Sequence, residues 1–289
     1  MKGDIDSINH VGVIVDDYAA AVARYEALGF ILSPLSMHKG SLKPGGPKVA
    51  FGTGNRSAIF THNYIELLAH VHKDRYDFGF PKFIERFEGA HIIVFGCGDA
   101  AVVDKRLAGT DLQTSGVIRL ERDLKAADEI RTAKFDCIHY PKDKSPEGLV
   151  QAAHHLTPEL IHQPHLLDHP NGAVALTEVV LCSGDPDRDA ARYAEFLGID
   201  ATRDGMKQTL TLPMGDRLQI VAAGDLEAVL PGCVAPDLPF LAATTIAVKD
   251  IAALAARLED KDIAHNRIDG RIAIPAEAAF GHMLVFETA

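Results

Sequence analysis

Ile8-Asn9-His10-Val11-Gly12-Val13-Ile14-Val15 is an apolar run with one histidine near its entry, and together with the helix signals directly after it this run decides the fold. Asp16 and Asp17 offer a helix N-cap. Residues 18–28 are rich in Ala, with Val22, Tyr25 and Leu28 at helical spacing, and Gly29 supplies the stop. Strands then fit residues 30–34, 49–51, 57–61 and 63–69, with a Gly/Pro-rich loop at 40–47. The order is strand, helix, then strands.

That order returns three times. Residues 91–95 form an apolar strand, Asp99 caps a helix over 100–107, and strands fit 117–121, 132–138 and 148–155. The third copy has a strand at 176–181, Asp185 before a helix to Leu197, Gly198 as its stop, and strands at 208–213 and 216–222. The fourth opens at 244–248, with Asp250 capping a helix to Leu258, and ends in strands at 271–275 and 282–287. Four βαβββ modules predict an α+β fold of two cupped mixed sheets, each built from two modules. Residues 157–172 carry three prolines and little periodicity, so the boundary between a domain at 1–172 and one at 173–289 falls at Asn171-Gly172.

Composition narrows the function. The chain has 289 residues, 47% of them hydrophobic and 24% charged, as in an ordinary soluble protein. A net charge of −11 with no basic block argues against nucleic acid and anionic membrane surfaces as partners. Cys97, Cys137, Cys182 and Cys233 are far apart and read as free thiols of a reducing compartment. No apolar run approaches the roughly 20 residues that span a bilayer, and the N-terminus lacks a signal-peptide core. The expectation is a cytoplasmic protein acting on a small molecule.

The repeat also places chemistry. His10 and His91 each stand at the entry of a first strand. Glu66 in Tyr64-Ile65-Glu66-Leu67-Leu68 and Gln151 in Leu149-Val150-Gln151-Ala152-Ala153 stand in the last strands. Two imidazoles and a carboxylate delivered by two copies of one unit predict a metal on a pseudo-twofold axis, with His10, Glu66 and His91 as ligands. A carboxylate inside an apolar strand costs several kcal/mol unless it is paired or metal-bound. Arg56 is one partner for it, and otherwise an anchor for an anionic substrate group. Gln151 and His155 share a strand face, so either one completes the site. The histidines at 162, 165 and 169 read as surface residues of a Pro-rich connection. In the second half the matching positions are Glu178, about Thr244, Gln219 and Val285, which predicts a half without a metal, serving as scaffold, lid or dimer surface.

With these segments the chain resembles the vicinal oxygen chelate superfamily, and within it the glyoxalase-like domain proteins. The matching stretches are Asn9-His10-Val11, Gly52-Thr53-Gly54-Asn55-Arg56, Tyr64-Ile65-Glu66-Leu67-Leu68, His155-Leu156-Thr157-Pro158-Glu159-Leu160 and His169-Pro170-Asn171-Gly172-Ala173. They cover about the first 175 residues; the rest matches by its repeat pattern. The resemblance implies ligands from the first and last strands of each module around one divalent metal, Zn, Ni, Mn or Fe. It implies a lyase or isomerase acting through an enediolate, with Glu66 or His155 as base and Arg56, Asn55 and Gln151 around the substrate. An Fe(II) ring-cleaving dioxygenase and a metal-free binding protein of the bleomycin-resistance type are the two alternatives.

Overall fold

The computed structural model describes residues 4–41, 47–114, 116–126 and 129–289. Most of the expected loop at 40–47 lies outside them. Four βαβββ modules follow one another. The first is β1 (Ile5–Ile14), α1 (Tyr18–Ala27), β2 (Ser36–Ser41), β3 (Lys48–Ile59) and β4 (Tyr64–His70). A short α2 (Phe80–Arg86) leads to β5 (Gly89–Cys97), α3 (Ala100–Leu107), β6 (Ile118–Ala126), β7 (Glu129–His139) and β8 (Leu149–His155). The third comprises β9 (Ala173–Ser183), α4 (Pro186–Leu197), β10 (Thr202–Asp204), β11 (Lys207–Thr211) and β12 (Arg217–Ala222). After α5 (Leu226–Val229) come β13 (Phe240–Val248), α6 (Ile251–Asp260), β14 (Asn266–Ile268), β15 (Arg271–Ile274) and β16 (Met283–Thr288).

Within each module the first strand runs parallel to the last. Modules pair through their first strands, antiparallel: β1 with β5 and β9 with β13. A bridge between Leu241 and Ala90 joins the two pairs into one sheet. The fold is therefore the expected one of mixed, cupped sheets. The four aspartates do what their positions predict. Asp17 accepts from Ala20 N, Asp99 from Ala101 N, Asp185 from Arg188 N, and Asp250 from Ala252 N and Ala253 N. Each satisfies a donor that the first helical turn leaves open. Gly198 ends α4 in the left-handed region, where a Cβ would be strained.

The first strands are buried on both faces, which explains their unbroken Val/Ile character. Their helix-side faces join one apolar cluster that runs through both halves, from Val11, Ile65 and Phe95 to Phe196, Val179 and Phe286. Their other faces line the cups.

Two details depart from expectation. Residues 30–34 make only an isolated bridge, Leu32 to Ala58, and the strand forms later, at β2. Pro34 lacks the N–H that a ladder would use. The three-residue strands β10 and β14 escape the pattern because so few residues carry it. No helix among the described residues is long and apolar enough to cross a membrane. All four cysteines are free and buried.

Candidate active site

The cup of the first half gathers most of the candidate residues. β1 and β4 lie side by side in register, His10 opposite Tyr64 and Gly12 opposite Glu66. The His10 ring stacks on Tyr64, with centroids 4.4 Å apart. Its Nδ1 donates to Asn9 Oδ1 at 2.8 Å. That bond places the proton on Nδ1, so the Nε2 lone pair points at Glu66 Oε2, 3.7 Å away. Burial first, and then the positive charge of Arg122, holds the His10 pKa down to about 3, so the ring is neutral. Two acceptors therefore face each other across a gap with no proton of their own between them.

The other Glu66 oxygen is occupied. Oε1 accepts from Asn55 Nδ2 at 2.7 Å and lies 3.6 Å from Arg122 Nη1. Arg122 also donates to Asn55 Oδ1 at 3.4 Å. This answers how Glu66, only 5% exposed, is accommodated. His38 reaches the same cup from β2, bonded through Nδ1 to Thr53 Oγ1 at 2.9 Å. Burial, then Arg122, lowers its pKa to about 4. Gln151 shares a row with His10, because Val94 is in register with both. His155 lies in the same cup, edge-on to Phe135 with centroids 4.8 Å apart. Burial, then the neighbouring His10, lowers its pKa to about 3.

Two expected residues stand elsewhere. His91 does not join His10 and Glu66. It is fully buried, stacks on Phe87 with centroids 4.1 Å apart, and donates from Nε2 to Phe87 O at 2.8 Å. The reason is a one-residue slip. His10 lies seven positions before its capping Asp17, and seven before Asp99 is Ile92. The β1–β5 register jumps from Gly12/Ile92 to Val13/Ala90, leaving His91 in the bulge. Neighbouring strand residues face opposite sides, so the slip turns the ring out of the cup. Gly148 packs against the His91 carbonyl, where a Cβ would come within 2.0 Å of its oxygen.

Arg56 is the second correction. Its neighbour Asn55 faces the cup, so Arg56 faces the helix layer. There Nη1 lies 3.2 Å from Glu26 Oε1, and Nε donates to Ser33 O at 2.8 Å. It pairs with neither Glu66 nor a ligand in the cup; Arg122 is the cation beside Glu66. The signal for Arg122 was its alternation on β6, where 122, 124 and 126 face inward and 121, 123 and 125 face outward. In the connection, His169 is also not a surface residue. It accepts from Ile31 N and donates to Ile59 O, clamping the module's return.

The second cup is filled by its own side chains. Val180, Leu226, Leu230, Phe240 and Met283 form an apolar cluster where the first cup is open. Glu178 pairs with Arg217 at 2.8 Å. The first cup offers the imidazoles of His10, His38 and His155, the carboxylate of Glu66 and the amide of Gln151, and of these only His10 and Glu66 face each other. Among the described residues no three His, Cys, Asp or Glu side chains converge. His10 and Glu66 still suit a divalent cation. The imidazole is neutral, its lone pair is oriented by Asn9, and the carboxylate offers one oxygen while the other is held by Asn55.

The glyoxalase-like domain family matches residues 8–197, and the chain belongs to it. A comparison with curated proteins finds no match. Among solved structures, a hypothetical protein from Staphylococcus aureus is similar over 98% of this chain and 99% of its own, with TM-score 0.63 and 13% identity. The Mn(II)-bound glyoxalase from Novosphingobium aromaticivorans is similar over 98% and 82%, with TM-score 0.54 and 12% identity. A mutant 4-hydroxymandelate synthase from Streptomyces coelicolor is similar over 92% and 78%, with TM-score 0.56 and 16% identity. These likenesses are likenesses of fold, and they agree with the paired βαβββ modules described above.

Proposed function

We propose that the chain is a metal-dependent glyoxalase-like enzyme, an isomerase or lyase acting on a small substrate with vicinal oxygens. The observation that carries this reading is the gap between His10 Nε2 and Glu66 Oε2, two acceptors 3.7 Å apart and oriented toward each other. A divalent cation held by His10 and Glu66, with Gln151 beside them, supplies Lewis acidity toward a substrate carbonyl or alkoxide. Asn55 and Arg122 hold the second carboxylate oxygen and so fix the orientation of Glu66. The Arg122 guanidinium adds a positive charge where an anionic intermediate is favoured. Glu66 Oε2, once released from the cation, or the neutral ring of His155 would accept a proton from substrate carbon. His155, neutral because it is buried, closes the wall with ring nitrogens that have no protein hydrogen-bond partner among the described residues.

The oxygenase alternative needs a second imidazole beside the carboxylate. His91, the expected source, is turned away, and His38 and His155, though they reach the cup, do not converge with His10 and Glu66 on one centre among the described residues, which favours the isomerase reading. The test is metal content in protein purified without chelator. About one divalent ion per chain in the parent, lost in His10→Ala and in Glu66→Gln, supports the reading. A parent that binds no metal but retains ligand binding supports a binding protein instead.

A further inference from the structure

A cavity of about 240 Å³ is lined by Asn55, which bonds Glu66, and by Tyr64, which stacks on His10, and its two ends differ in chemistry. Asn55, Ser57 and Arg122 line one end; Leu124, Ile130, Leu160, Ile161 and Leu166 line the other. Arg122 is held loosely. Its one hydrogen bond to protein among the described residues is the 3.4 Å contact to Asn55, and Glu66 lies beyond it at 3.6 Å. Among the described residues Nε and Nη2 have no acceptor, and Arg122 lines the cavity. The chain as a whole is acidic, at −11. The nearest acidic group on the cavity wall, Asp123, is already matched by Lys39 and Thr132. The apolar end continues to the rim, where Ile130 is 72% and Leu35 45% exposed. Isolated exposed apolar residues are common, but these two border a cavity that is apolar inside.

We propose that this cavity takes a monocarboxylate with a medium-length aliphatic tail. Arg122 receives the carboxylate, and Leu124, Ile130, Ile161 and Leu166 cover the tail. A guanidinium presents paired donors that match a carboxylate, and here two of them lack a partner. The tail covers Ile130 and Leu35, which are otherwise wet. The volume lies near the lower end of ligand pockets, ~300–1,000 Å³, which suits a chain of octanoate size and not a large conjugate. This deepens the proposed function by naming its substrate class, a 2-oxo or 2-hydroxy acid of that length. It rests on that reading only for the oxygen next to the carboxylate.

The test is calorimetric titration of the full chain with octanoate, acetate and octylammonium, with and without chelator. Octanoate is expected to bind one per chain, on the order of 100-fold more tightly than acetate, and octylammonium not to saturate. Arg122→Gln should weaken octanoate by about tenfold or more, and Ile161→Asp should erase the preference over acetate. Arg122→Lys keeps the charge and should retain part of the affinity. Equal affinity for octanoate and acetate, or octanoate binding unchanged in Arg122→Gln, overturns the proposal. If a variant does not fold, the comparison of the three probes on the parent decides alone. Loss of the metal reading appears separately, as metal content that is insensitive to Glu66→Gln, and leaves octanoate binding in chelator untouched.

Discussion

His91→Phe separates the architecture from the site. In the parent the ring is buried between Phe83 and Phe87, with Nε2 on Phe87 O and Nδ1 without a partner. At pH 7.5 the substitution gives up one hydrogen bond, worth about 1 kcal/mol, and removes one unpartnered buried nitrogen, worth a similar amount in the other direction. Net stability should move by less than about 1 kcal/mol. The pH dependence should change more. Burial holds the folded His91 pKa at about 4, against 6.5 in a peptide. The unfolded chain therefore binds a proton that the folded chain refuses between those values. The penalty is absent above pH 6.5, grows as pH falls and is complete below 4. At about 1.4 kcal/mol per pH unit it reaches roughly 3 kcal/mol. Phe carries no such penalty. Urea unfolding of parent and variant from pH 7.5 to 4.5 should show two curves that separate in favour of the variant as pH falls. Metal content should be the same in both. Parallel curves, or loss of metal in the variant, would refute the placement of His91 outside the cup.

The same geometry predicts other outcomes. Arg56→Gln should leave metal and octanoate binding intact and cost about 1 kcal/mol of stability, because Glu26 is half exposed and the rest of the loss is hydrogen bonding to loop carbonyls. Glu178→Ala should spare metal binding but destabilise the chain, by about 1–3 kcal/mol in thermal unfolding, since it strips Arg217 of its hydrogen-bonded partner. Metal loss in that variant would require a site in the second cup. Asp250→Ala should cost about 1 kcal/mol through two unsatisfied helix donors, with no effect on ligand binding.

Much of the fold is legible because each module repeats strong local signals. Capping aspartates at 17, 99, 185 and 250 follow apolar strands, and glycines follow α1, α3 and α4. The candidate site is legible only where a residue's chemistry contradicts its surroundings. Glu66 in an apolar strand is such a case, and so is His10. His91 shows the limit. Sequence similarity of Asn9-His10-Val11 and Ala90-His91-Ile92 hides a bulge that only the paired strand reveals. Counting from the helix caps aligns Ile92 with His10 and would have exposed the slip. Arg56 and Asn55 show the same parity rule: adjacent strand residues cannot both face one cup. Arg122 escaped because it belongs to a different module from Glu66, and nothing local joins two residues 56 positions apart. His38 lies in a strand displaced by several residues from its expected place, so its face was not readable. The filled second cup was half legible. The missing ligands at 178 and 285 were visible, but the insertion of α5 over the sheet was not.

In the proposed enzyme His10 and Glu66, without His91, hold the metal. X-ray absorption at the metal edge of zinc-loaded protein tests it most directly. Scattering from one imidazole and from oxygen ligands at about 2.0–2.2 Å is expected, with the imidazole signal lost in His10→Ala and unchanged in His91→Phe. Two imidazoles in the parent, one of them lost in His91→Phe, would contradict it.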